Sequence, residues 1–67
     1  MTKSKRQQDA EFVKELRQAL ELTQPDFGAL IGVSKRTVIR WEQGSPLTQR
    51  DLMALNIIAK QNGIPIR

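Results

Sequence analysis

The sequence predicts an all-α, compact fold of four to five helices with no sheet core. Apolar residues recur at helical spacing from Phe12 to Leu20 and from Leu52 to Ala59. Thr23, Ser34 and Thr48 each stand where a helix N-cap would. Gly32, Gly44 and Gly63 each stand where a helix would stop.

Residues 1–8 are polar and carry Lys3, Lys5 and Arg6, so they read as a flexible basic arm ahead of a domain over 9–67. The first helix is expected over Asp9–Glu21, with Asp9 as its cap and Glu11 in its first turn. At ~100° per residue, Phe12, Val13, Leu16, Ala19 and Leu20 share an apolar sector, while Lys14, Glu15 and Gln18 face away. The second helix is expected over Gln24–Ile31. Thr23 caps it, Asp26 stands in for the usual Glu of a capping box, and Pro25 sits where a missing N–H costs nothing. Phe27, Leu30 and Ile31 are expected to point inward. Gly28 costs about 1 kcal/mol against alanine in a helix, so its presence predicts that another backbone passes close by.

Gly32-Val33-Ser34 is a tight break in which Gly32 takes the left-handed conformation and Val33 plugs the corner. Ser34 caps a third helix over Lys35–Gln43, with Val38 and Trp41 on its inner face and Gly44 at its end. Ser45-Pro46-Leu47 is a linker. Thr48 caps a fourth helix over Gln49–Gln61, with Asp51 three residues on and Leu52, Leu55, Ile58 and Ala59 as its inner stripe. Asn62-Gly63 stops it, and Ile64–Arg67 is a short extended tail.

Composition narrows the chemistry. The 67 residues form one domain and contain no cysteine, histidine or tyrosine. Disulfides, thiolate metal sites and the commonest general base are thereby excluded. No spacing for a hard cation is present, so neither a metal nor a cofactor is expected. A chain this short could hardly enclose a substrate pocket, so an enzyme is not expected. Eleven Lys and Arg against seven Asp and Glu give a net charge of +4, which favours polyanionic partners. No apolar run approaches the ~20 residues of a membrane span, and no hydrophobic segment follows the basic start. No membrane partner is expected; a soluble, cytoplasmic protein is.

The informative stretch runs from Leu22 to Gly44. Two short capped helices joined by a glycine turn form a helix-turn-helix unit. A short turn forces the helices to cross steeply, so the third helix projects from the body and fits a DNA major groove ~12 Å wide. With Leu22-Thr23-Gln24, Gly32-Val33-Ser34, Thr37-Val38, Trp41-Glu42-Gln43-Gly44 and Arg17 in place, the sequence resembles the Cro and phage-repressor family of helix-turn-helix proteins, also called the xenobiotic-response-element type. The resemblance covers roughly Phe12 to Ile58. It implies a lambda-repressor-like DNA-binding domain with double-stranded DNA as partner. It also implies that Gln24 touches a phosphate or a base, that the first residues of the third helix read base edges, and that Arg17 and Glu42 form a structural salt bridge. The chain departs from the family where glycine often precedes Leu-Thr-Gln: Glu21 stands there, and a positive φ would strain it. The linker is short, and no clear fifth helix for dimerisation is present.

On the third helix, Arg36, Arg40 and Gln43 lie ~140–200° from Val38, opposite the core. With Lys35 at the helix start they are expected to contact DNA: Arg or Lys can donate to O6 and N7 of guanine, and Gln can pair with adenine. Ser34 joins this set. Thr37 either donates to a phosphate or crowds the turn. Trp41 is expected in the core rather than stacked on a base. Ile39 is expected at the core edge, with contact to a thymine methyl as the alternative. Arg17 could still offer an N–H to phosphate. Lys3, Lys5 and Arg6 are either a solubilising tail or a DNA-contacting arm. Met53, Ile57 and Ile64 fall off the core stripe; they are either ordinary exposed residues or a dimer contact.

These readings predict a sequence-specific transcriptional regulator, a repressor acting by occupancy, assembled as a weak homodimer on a palindromic operator. One alternative is the antitoxin of a type II toxin–antitoxin pair, with a toxin as second partner. Another is a helical protein-interaction domain whose basic face docks an acidic partner.

Overall fold

Four helices account for most of residues 5–64, the part of the chain that the computed structural model describes, with side chains from Gln7 onward. They are α1 (Lys5–Ala19), α2 (Gln24–Ile31), α3 (Lys35–Glu42) and α4 (Gln49–Gln61). No strand occurs among the described residues.

The start of α1 corrects the expected boundary. Lys5–Gln8, assigned to a flexible arm, are helical, and Asp9 lies buried inside the helix instead of capping it. Straight-chain residues lose little rotamer freedom in a helix, and each one added to an existing helix gains a hydrogen bond. The expectations for Lys3 and for the side chains of Lys5 and Arg6 lie outside the described residues, as do those for Pro65–Arg67. At its other end α1 stops at Ala19, short of the expected Glu21, and Ala19 is exposed because the chain is already turning there.

The caps of the other helices follow from local chemistry. Thr23 Oγ1 accepts from the Asp26 N–H at 3.3 Å, Ser34 Oγ from Thr37 at 3.3 Å, and Thr48 Oγ1 from Asp51 at 3.1 Å. Each bond satisfies one of the N–H groups that a helix start leaves without a partner.

Three helices close alike. In α1 the Leu22 N–H reaches the Arg17 carbonyl at 3.2 Å and Glu21 reaches Gln18 at 3.0 Å. In α3 Ser45 reaches Arg40 and Gly44 reaches Trp41, and in α4 Ile64 reaches Ala59 and Gly63 reaches Lys60. This is the Schellman arrangement, which puts its penultimate residue in the left-handed region. Gly44 (φ 103°) and Gly63 (φ 68°) adopt it without a Cβ clash. Glu21 adopts it too, at φ 57°, and is the one non-glycine residue there among the described residues.

The core joins all four helices: Phe12, Val13 and Leu16 from α1, Phe27 from α2, Val38 and Trp41 from α3, Leu55 and Ala59 from α4. Half-buried Leu20, Leu22, Ile31, Val33, Leu47, Leu52, Ile58 and Ile64 pack against it. Leu30, expected inside, is 54% exposed. The reason lies at Gly28, where an added Cβ would sit 2.6 Å from the Val33 carbonyl oxygen. That backbone contact turns the inward side of α2 toward Phe27, Gly28 and Ile31, leaving Leu30 about 100° off it. Ile64 also departs from expectation. Its N–H closes the end of α4, and the side chain folds back onto the core instead of standing at a free surface.

Candidate nucleic-acid interface

Helix α3 packs against both α1 and α2. Val38 and Trp41 point into the core, so the opposite side of the helix faces away from the body. Lys35, Arg36, Arg40 and Gln43 are all exposed. These are the side chains that reasoning from the helical period puts outward, and the fold brings them together on one short helix. Gln24, at the start of α2, is half-buried.

The charge at the beginning of α3 opposes helix stability. A helix N-terminus carries partial positive charge and favours acidic side chains, by about 0.3–1 kcal/mol each. Helices α2 and α4 comply, with Asp26 and Asp51 in their first turns, whereas α3 has no acidic residue there and instead begins Lys35-Arg36. Two cations next to unpaired backbone N–H groups make a site whose natural complement is an anion.

Ser34 and Thr37 flank that site. Ser34 Oγ accepts the Thr37 N–H and lies 3.1 Å from Thr37 Oγ1, so one hydroxyl donates to the other. Whichever donates, the second keeps its proton for an outside acceptor. Thr37 is thus held in the cap and half-buried, and the Ser34–Thr37 pair as a whole retains one free hydroxyl proton.

Arg17 fixes the far end of the helix. Its Nε donates to Glu42 Oε2 at 2.7 Å and its Nη2 to Glu42 Oε1 at 3.1 Å, a bidentate fork. Its Nη1 donates to the Leu22 carbonyl at 3.1 Å. One guanidinium therefore ties α1, the α1–α2 corner and the end of α3 together. The side chains are 18% and 7% exposed, and the hydrogen bonds that Arg17 donates to Glu42 raise the Arg17 pKa against the opposing effect of burial. The guanidinium stays charged at any ordinary pH. One hydrogen on each terminal nitrogen is not used by these three bonds.

Arg50, which the sequence reading did not single out, is exposed in the first turn of α4. The signal available for it was the same as for Lys35 and Arg36, a cation at the positive end of a helix. Ile39 is half-buried, as a position at the core edge would be, and is not among the side chains that pack on the buried cluster itself. Among the described residues no cluster of His, Cys, Asp or Glu could hold a metal ion, and no helix is long and apolar enough to cross a membrane.

Residues 13–64 match the helix-turn-helix family, and the match spans all of α2, α3 and α4 and α1 from Val13 onward. No curated protein matches the chain. A projecting α3, the glycine corner before it and the family match agree, and the chain belongs to the helix-turn-helix family of the Cro and phage-repressor type, the DNA-binding regulators.

Proposed function

We propose that the protein is a sequence-specific transcriptional repressor that lays α3 in the major groove. Arg36, Arg40 and Gln43 read base edges, with Lys35 at the helix start. Ser34, Thr37, Gln24 and the spare N–H groups of Arg17 position the domain on phosphates and adjacent bases. The observation that carries this reading is the Lys35-Arg36 pair at the start of α3, where helix stability alone would favour acid. Repression follows from occupancy: a bound domain excludes other proteins from the same DNA.

One recognition helix reads too few base pairs to mark a unique genomic site. The reading therefore includes a two-fold dimer with recognition helices ~34 Å apart in successive major grooves. Met53 and Ile57, one turn apart on α4 and 58% and 56% exposed, are its proposed contact. So small an apolar patch supports only a weak dimer, completed on DNA.

Selection of bound sequences from random duplex DNA tests the reading. A palindromic consensus is expected, with affinity that falls steeply as salt rises. Recovery of no consensus, with binding that depends on salt alone, would remove sequence-specific regulation from consideration.

A further inference from the structure

We infer that Ile39 is a specificity-determining residue that reads the C5-methyl group of a pyrimidine in the major groove, thymine in unmodified DNA. The inference rests on the reading that places α3 in that groove. With the mean direction of Val38 and Trp41 taken as inward, Ile39 lies ~130° away at ~100° per residue, as does Arg40 on the other side of the outward axis. Arg36 and Gln43 lie between them, ~170° from the core direction. Ile39 is therefore the apolar member of the outward face.

The fold covers Ile39 only in part: it is half-buried. Its side chain is not among those packed on the core. Its neighbours one turn away on α3 are Lys35, Arg36 and Gln43, all exposed, and Glu42, which is committed to Arg17. A β-branched side chain also lowers helix propensity relative to Lys, Gln or Arg. The groove supplies a partner for the part that stays accessible. Each base edge offers hydrogen-bonding groups that Lys35, Arg36, Arg40 and Gln43 can engage, but the thymine methyl offers none and is matched only by apolar contact.

The test uses the full chain and a duplex obtained by random selection. Each thymine is replaced in turn by deoxyuridine, which removes only the methyl, and each cytosine in turn by 5-methylcytosine, which adds it. For the unmodified protein, deoxyuridine at one position per half-site is expected to weaken binding roughly fourfold, the scale of burying one methyl group. Ile39→Ala should be indifferent at that position while responding normally elsewhere. Ile39→Gln, a stronger helix former, repeats the comparison should the alanine variant fold poorly. Because the readout is a profile across positions, a general loss of affinity does not mimic it. A gain on methylating one cytosine that Ile39→Ala abolishes assigns the methyl to modified cytosine instead. A selected duplex on which wild type and both variants show the same profiles overturns the inference alone. Failure to select any duplex overturns the groove reading and the inference with it.

Discussion

Helices α2 and α3 are both eight residues long and both begin behind a hydroxyl cap, yet their first turns carry opposite charge. Helix α2 places Pro25 and Asp26 there, the residues that helix physics favours. Helix α3 places Lys35 and Arg36. The cap chemistry needed to start a helix is met in both, so the difference is not a failure of α3 to fold. On the proposed reading, the start of α2 serves the fold and the start of α3 serves a ligand. Helix α3 recovers what its first turn forgoes through its inner face, where Val38 and Trp41 enter the core, and through the Glu42–Arg17 fork.

The largest effect should come from removing that recovery. Trp41→Ala should cost about 3–5 kcal/mol, comparable to the whole stability of a domain this small, and urea titration followed by circular dichroism should find the variant largely unfolded. Gly28→Ala attacks the corner between the two helices. The Cβ meets backbone rather than a movable side chain, so a loss of about 1–3 kcal/mol is expected, visible as a lowered midpoint of thermal unfolding. Arg40→Ala leaves both helices intact: stability should change by less than about 0.5 kcal/mol. Discrimination at one operator position should fall by about 1–3 kcal/mol in competition binding; equal weakening on every sequence would make Arg40 a phosphate contact. Lys35→Glu sharpens the comparison by giving α3 the first-turn charge of α2. It should raise stability by about 0.3–1 kcal/mol while weakening DNA binding, and a variant both less stable and unimpaired in binding would contradict this contrast between the two helices. Glu21→Gly should give the smallest change. Relief of about 1–2 kcal/mol of left-handed strain is partly offset by glycine's greater freedom in the unfolded chain, for a net gain of about 0.5 kcal/mol by the same unfolding titration.

Much of this was legible in the sequence because it depends on short-range chemistry. Thr23, Ser34 and Thr48 announce three helix starts, and Gly28 announces a close backbone approach that sequence reasoning could locate without knowing its partner. Glu21 was legible in the same conditional way, as a residue strained if the turn required a positive φ. The start of α1 was not, because Asp9 is a good cap by type and only burial reveals that the helix continues past it. Leu30 misled for a related reason. Apolar type suggested the core, but the inward direction of α2 is set by its contact with the Val33 carbonyl, a tertiary fact. On the candidate interface, the positions of Arg36, Arg40 and Gln43 followed from the helical period once Val38 and Trp41 were read as core. Ile39 did not follow, since its side chain chemistry argues for the core and its angle argues against it.

Trp41 has a consequence for the energetics of association. The helix that presents Lys35, Arg36 and Arg40 outward is also the helix that delivers the largest side chain of the core, at 4% exposure. The hydrogen-bonded amides beyond its first turn, around Val38 and Trp41, should exchange with solvent only when the core opens, so their hydrogen-exchange protection should approach the global unfolding free energy. A reading helix of that kind is ordered before it meets DNA. Binding then incurs no entropy of helix formation, and its heat-capacity change should reflect the interface alone, without the large negative contribution of a segment that folds on its target.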